Sequence, residues 1–353
     1  HQPWQALMYG HGTAEMRAWV FAGLCLQQQL DVVMLSVKDA EGNLRWWLPA
    51  VFADGELYLF DTRLGLPILD AQAEKIATLS DVVADPSLLR NLDVDEEHSY
   101  PFTEDDLGHV STSIVATPLQ LSRRAAALQN ALHGEDFVVL QAPGSGLVDS
   151  IEKLPNINDV KLWSYPYEEQ LAEESMKRPQ RELAAQQAAA FSQRPRYWKA
   201  RVLHFLGTKP VPISQQDDPL ARPRLGHREA IQHYQHGEIR TPDAVLDQLE
   251  AGEQMIYRAI KYSASYMLGL LSYDLGKFEV SEDWLRRRTL EANPQGFWTA
   301  GARYNLARTL EAMGKNAEAI EILEADQSPQ RHGNLLRARR IAATKDTDSP
   351  SAD

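Results

Sequence analysis

Apolar positions recur at helical spacing between residues 13 and 30, where Ala14, Ala18, Phe21, Ala22, Cys25 and Leu26 share one side of a 3.6-residue turn. The pattern then changes. Asp31 to Val37, DVVMLSV, is rich in β-branched residues and predicts a strand. Ala40-Glu41-Gly42-Asn43 reads as a turn, and the runs Trp46–Ala53 and Glu56–Asp61 flank Asp54-Gly55, a strong signal for a tight hairpin. A helix followed by three antiparallel strands is expected. From 64 to 108 the periodicity gives way to loop, with short helices over 79–83 and 86–92. The acidic runs at 93–97 and 104–106 read as solvated surface rather than a cation site.

A second alternation follows. Val110–Ala116 predicts a strand, and Thr117-Pro118 supplies an N-cap with proline at the first helical position for a helix to about Leu132, ended by His133-Gly134. Strand 137–141, helix 146–154 and strand 159–163 complete a βαβαβ order, which implies a small open sheet with helices on it. Residues 168–198 read as a polar helical connector interrupted by Pro179, 207–224 as a proline-rich linker, and 241–340 as helical throughout. The expected architecture is an α+β N-terminal domain (1–108), a small α/β unit (109–167), a connector and linker (168–240), an all-α helical-repeat domain (241–343) and a disordered tail (344–353).

Within the helical region two segments superimpose at an offset of 38 residues: Leu268-Gly269 on Leu306-Ala307, Gly276-Lys277 on Gly314-Lys315, Ser281 on Ala319, and Leu285 on Leu323. Small residues at 269/307 and 281/319 allow close helix approach, Gly276 and Gly314 suit a left-handed turn, and Pro294 and Pro329 end the second helices. Over residues 262–330 this resembles tetratricopeptide repeats, helical hairpins with a period of about 34; the usual early tryptophan is missing from both copies. Two repeats are fewer than a stable stack needs, so helices at 242–260 and 333–342 are expected as caps, a plain helical bundle being the alternative. The resemblance implies a concave groove carrying Ser263, Tyr266, Leu270, Tyr273 and Asp274 from one hairpin and Gly301, Tyr304, Arg308, Glu311 and Ala312 from the next. Tyr266, Tyr273, Asp274, Tyr304, Arg308 and Glu311 are the candidate partner-binding residues, since tyrosine and arginine are enriched at binding hot spots. The tyrosines could instead fill the gap beneath an adjacent helix.

Composition narrows the classes. The chain has 353 residues, 44% hydrophobic and 24% charged, with a net charge of −13. That acidity argues against general nucleic-acid binding. No apolar run approaches the roughly 18 residues that span a membrane. A single cysteine, Cys25, excludes an intrachain disulfide and a multi-cysteine zinc site. The chain begins at His1, so an N-terminus further upstream, with room for a removed signal peptide, is expected.

The opening GHGTAEMRAWVF, residues 10–21, runs a glycine turn straight into a helix. With the hairpin behind it and Asp61 in FDTRLG, residues 4–65 resemble the transglutaminase-like core of the papain-type fold. That resemblance implies a cysteine at the helix start, a histidine on a neighbouring strand and an aspartate on the next, a thiolate–base–orienter arrangement. Here the cysteine slot falls on Thr13 or Ala14 and the histidine slot near Trp46-Trp47-Leu48; only Asp61 has a counterpart. Cys25 lies three turns into the helix and reads as core. Thr13 as nucleophile with His11 as base has poor geometry, and His11 with Glu15 does not make a metal site. Ala142–Gly146 reads as a turn lacking the phosphate-loop lysine, His227, His233 and His236 as surface, and Trp46-Trp47 and Trp163 as core or domain contacts. No cofactor or metal is expected. The arrangement resembles uncharacterised bacterial proteins joining the two modules, with cytoplasm and cell envelope both open. The expected function is non-catalytic binding of a protein or peptide partner; the alternatives are a divergent acyl-transfer enzyme or peptidase and a cell-envelope structural protein.

Overall fold

In a computed structural model the described residues are 2–38, 41–134, 137–142, 144–209 and 224–347. The protein is mixed α/β, with one six-stranded mixed sheet and a helical C-terminal region, and it divides into two compact units, residues 1–176 and 177–353.

The first unit opens with α1 (Pro3–Tyr9) and α2 (Ala14–Gln27); Thr13 caps α2, its hydroxyl accepting from the Met16 N–H at 3.3 Å. The strands β1 (Asp31–Lys38), β2 (Leu44–Ala53) and β3 (Glu56–Asp61) form an antiparallel meander extended by the short β4 (Leu66–Pro67). Asp54 and Gly55 both have positive φ, +53° and +82°, the backbone that a two-residue turn needs to match the strand twist. Two short helices, α3 (Leu79–Ala84) and α4 (Ser87–Arg90), precede β5 (Val110–Ile114), α5 (Arg123–Ala131), α6 (Ser145–Ile151), β6 (Ile157–Leu162) and α7 (Tyr165–Glu174).

Here the structure departs from the expected middle α/β unit. β5 pairs antiparallel with β1, and β6 pairs parallel with β5, so the sheet order is β4-β3-β2-β1-β5-β6 and residues 110–162 extend the N-terminal sheet. β1 is thereby central, which accounts for its nearly continuous apolar run. Val32 and Met34 pack with Ala18, Trp19, Ala22 and Cys25 of α2; Val33, Leu35 and Val37, also buried, alternate to the opposite face. Phe21 is half-buried against Phe60 of β3, ring centroids 5.0 Å apart.

Residues 137–142 form no strand. Instead the Gln27 amide exchanges two hydrogen bonds with the Val139 backbone, at 2.9 and 3.0 Å, and Gln129 Oε1 accepts from the Leu140 and Gln141 N–H groups. Side chains take the place of a ladder. The helix expected from Thr117 starts at Arg123, because Thr117 and Gln120 close a local turn and Ser122 provides the cap.

The second unit is helical. α8 (Arg178–Gln193) carries Pro179 in its first turn, so that proline starts a helix instead of interrupting one, and Pro195 likewise starts α9 (Pro195–Leu206). The two-residue strands β7 (Thr208–Lys209) and β8 (Arg224–Leu225) pair antiparallel; most of the expected linker, 210–223, lies outside the described residues. Then come α10 (Gly226–Gln235), α11 (Asp243–Leu246), α12 (Ala251–Asp274), α13 (Phe278–Leu285), α14 (Thr299–Ala312), α15 (Asn316–Glu324) and α16 (Arg331–Thr347). The cap expected over 242–260 is divided: α11 takes up 243–246, and α12, starting at Ala251, runs unbroken from there into the first hairpin. α16 continues through 347, so the helix takes in 344–347 of the expected tail; 348–353 lie outside the described residues.

The helices pair as α12/α13 and α14/α15, turning at Gly276 and Gly314 with φ of +69° and +74°. α13 passes into a π-turn over Arg286–Glu291, where the Thr289 hydroxyl donates to the Trp284 carbonyl at 2.9 Å. Leu268, Leu271, Leu285, Leu306, Leu310 and Leu323 form the core between helices. Among the described residues no helix is long and apolar enough to cross a membrane.

Candidate functional site

Asp61 ends β3 with 1% of its surface exposed. Its Oδ1 accepts from the Arg63 and Leu64 N–H groups at 2.7 and 3.1 Å, and its Oδ2 accepts from the Tyr100 hydroxyl at 2.7 Å. The Trp47 indole N–H in turn donates to the Tyr100 oxygen at 2.9 Å. Trp47 stands where the histidine slot was counted, so the chain of hydrogen bonds that reaches the carboxylate is indole to phenol to aspartate. Neither link is a base at neutral pH. Burial foremost, then the Asp61 charge and the hydrogen bond to it, push the Tyr100 hydroxyl well above the ordinary tyrosine range and hold it as a donor. Arg63 closes the other side: its Nε is 3.8 Å from Asp61, its guanidinium lies over Trp46 and Phe102, and it donates to the Trp47 carbonyl.

The other candidates at this end do not meet Asp61. The exposed Thr13 hydroxyl caps α2 and lies 3.5 Å from the Tyr165 hydroxyl. His11 stacks on Tyr9, with ring centroids 6.3 Å apart, and partial burial lowers its pKa. Cys25 is buried in the α2–β1 core, and burial raises its thiol pKa. Trp47 and Trp163 are core residues, and Trp46 is half-buried under Arg63. Gly144 is only the N-terminal neighbour of the seven-residue α6; Pro143 lies outside the described residues. His233 contacts Arg196 at 3.1 Å, and His227 lies beside His204. No group of three or more His, Cys, Asp or Glu side chains that could hold a metal comes together among the described residues.

In the helical unit, the six candidate partner-binding residues separate. Tyr266 is buried: its ring stacks on Trp298 with centroids 4.6 Å apart, its hydroxyl accepts from Asn305 at 3.1 Å, and a Cβ on Gly301 would come within 2.8 Å of that hydroxyl. It fills the space between α12 and α14. Asp274 is exposed and faces His204 Nε2 at 3.6 Å; burial, the largest influence, lowers the His204 pKa against the opposing pull of Asp274. Glu311 is paired with Arg337, which also lies over the Tyr304 ring and donates to its hydroxyl at 3.3 Å. Arg308 sits over Tyr273 at 4.5 Å and donates to Asn305 at 3.0 Å. Tyr273, Tyr304 and Arg308 are half-buried, each with part of its surface in solvent.

Tyr100, Asn305 and Arg337 therefore take part without having been singled out. Tyr100 comes from a stretch with no periodicity, and Arg337 belonged to an expected cap. The burial of Tyr266, which raises its pKa to about 12, has a measurable consequence. A raised folded-state value stabilises fully below the ordinary value near 10, and that contribution is lost as pH rises towards about 12. Stability should fall in that window, and Tyr266→Phe should flatten the fall in urea titrations; an unchanged slope would show that the ring is not buried in this way.

No protein family, no curated protein and no solved structure matches the chain.

Proposed function

We propose that this protein is a non-catalytic scaffold that binds a protein or peptide through the face of α12, α14 and α16, with an N-terminal unit of transglutaminase-like ancestry that has lost its thiol chemistry. The observation that carries the reading is the Asp61 network. A catalytic aspartate of that class orients a histidine; here the carboxylate accepts from a tyrosine and two backbone N–H groups, and the Tyr100 hydroxyl takes the side where that histidine would stand. The helical hairpins are read as tetratricopeptide-like. Their exposed chemistry is a guanidinium held by a ring and an amide, with tyrosines beside it, suited to gripping an acidic or amide-rich peptide.

The test is a peptide array screened with the full chain, followed by affinity measurement for any selected sequence. Arg308→Ala and Tyr304→Ala should each weaken binding by about 1–3 kcal/mol, as central contacts do, with melting temperatures preserved. Selected peptides that bind both variants as tightly as the parent would move the site elsewhere. Turnover of amide or ester substrates abolished by Asp61→Asn would overturn the non-catalytic reading.

A further inference from the structure

The helical unit contains a pocket of about 150 Å³ between the middle of α12, the π-turn after α13 and the link into α14. Ala259, Tyr262 and Ser263 line it from α12, Thr289 from the π-turn, and Phe297 and Trp298 from the link. We propose that this pocket is a binding site for a neutral, single-ring aromatic group. An apolar protein cavity of about this volume admits a benzene ring.

The floor is preformed. Trp298 is fixed on two sides, its ring stacked on Tyr266 and its N–H donating to the Ser263 hydroxyl at 2.6 Å. The Thr289 hydroxyl is committed to the Trp284 carbonyl. The polar atoms of Ser263 and Thr289 are thus engaged within the protein. Phe297 stands edge-on to Trp298, centroids 5.1 Å apart at 88°, with 68% of its surface exposed beside the opening. Three aromatic side chains around one cavity favour a ring, which gains edge and face contacts that an aliphatic group of the same size does not.

Charge and hydrogen bonding narrow the ligand further. None of the lining residues carries a charge, so an ionised ligand would lose hydration with no opposite charge to replace it, a cost a neutral ring does not have. The Tyr262 hydroxyl and the Asn293 amide also line the pocket, and neither has a hydrogen-bond partner among the described residues. A hydroxyl or amide substituent on the ring would meet them. The site shares Ser263 with the groove positions read from the sequence, but it stands whether or not the helical face binds a peptide.

The experiment titrates p-cresol into the full ¹⁵N-labelled chain and follows the indole N–H resonances by NMR, with Trp298 assigned through Trp298→Phe. Trp298 should shift saturably with a Kd on the order of 1 mM, the range expected for so small a ligand. The anion 4-methylbenzoate should bind at least tenfold more weakly. Ala259→Leu places a larger side chain in the pocket from an exposed helix position; it should weaken p-cresol binding at least tenfold while the melting temperature and the other indole resonances stay in place. N-acetyltyrosinamide tells the two sources of such a ring apart: binding equal to that of p-cresol assigns a ring carried on a peptide, and tenfold weaker binding assigns a free small molecule. The proposal is overturned if Trp298 does not shift up to the solubility of p-cresol, if 4-methylbenzoate binds as well, or if a folded Ala259→Leu chain binds p-cresol unchanged. The wild-type comparison of cresol with benzoate decides the matter even if the variant fails to fold.

Discussion

Asp61→Ala lowers the stability of the first unit by about 3–5 kcal/mol, the cost of removing one member of a buried charged network. The substitution strands the buried Tyr100 hydroxyl, for which a lost partner costs about 1–3 kcal/mol, and the half-buried Arg63 and Leu64 N–H groups, which cost less because water can reach them. Asp61→Asn keeps an acceptor for the backbone donors but turns an amide N–H towards Tyr100, so it should cost less, about 1–2 kcal/mol. In a unit of this size the alanine variant should melt about 6–20 °C lower. A catalytic aspartate behaves differently: its removal abolishes activity and often leaves stability unchanged or improved, because active sites store strain. Thermal unfolding of Asp61→Ala within about 2 °C of the parent would therefore argue against the structural role assigned to this residue.

The second large effect is expected where α12 and α13 touch. A Cβ on Gly269 would come within 2.6 Å of Leu285 Cδ2 and 2.7 Å of its Cγ, and Leu285 is fully buried. Gly269→Ala gains up to about 1 kcal/mol of helix propensity but must overpack this contact, which typically costs about 1–3 kcal/mol. Leu285→Ala alone should cost about 2–5 kcal/mol through the cavity it leaves. The double variant should be more stable than the sum predicts, by about 1 kcal/mol or more, because the new methyl enters the space the leucine vacated. Urea denaturation of the four proteins measures the coupling. Additive losses would mean that the helices do not approach at Gly269.

The 38-residue offset marked both the turns and the contact that this cycle probes. Gly276 and Gly314 occupy left-handed turns, and Ser281 donates to the Gly269 carbonyl at 2.9 Å. These features were legible because a turn with positive φ and a close helix approach restrict residue type at a single position. The same holds for Asp54-Gly55, for the Thr13 cap of α2 and for β1–β3, where local backbone preference and hydrophobic periodicity agree.

What local pattern could not supply was the assignment of partners across the chain. Nothing in Val110–Ile114 says that it pairs with β1 instead of a strand of its own, since a strand's alternation defines its faces and not its neighbours. Residues 137–141 have strand composition, yet two glutamine side chains bond the backbone of Val139, Leu140 and Gln141 where a neighbouring strand would. Tyr266 and Tyr273, seven residues apart, share one face of α12; one is buried because Gly301 leaves room for its hydroxyl, and the other is half-buried because Arg308 of α14 covers only part of it. Asp61 was singled out from the sequence, but its partner Tyr100 lies 39 residues away in a stretch without periodicity. The sequence by itself determined α2, the glycine turns and the strands β1–β3, because those depend on neighbours within a few residues. The tertiary structure decided which strands share a sheet, which tyrosines meet solvent and what saturates Asp61, because each depends on side chains that only long-range packing brings together.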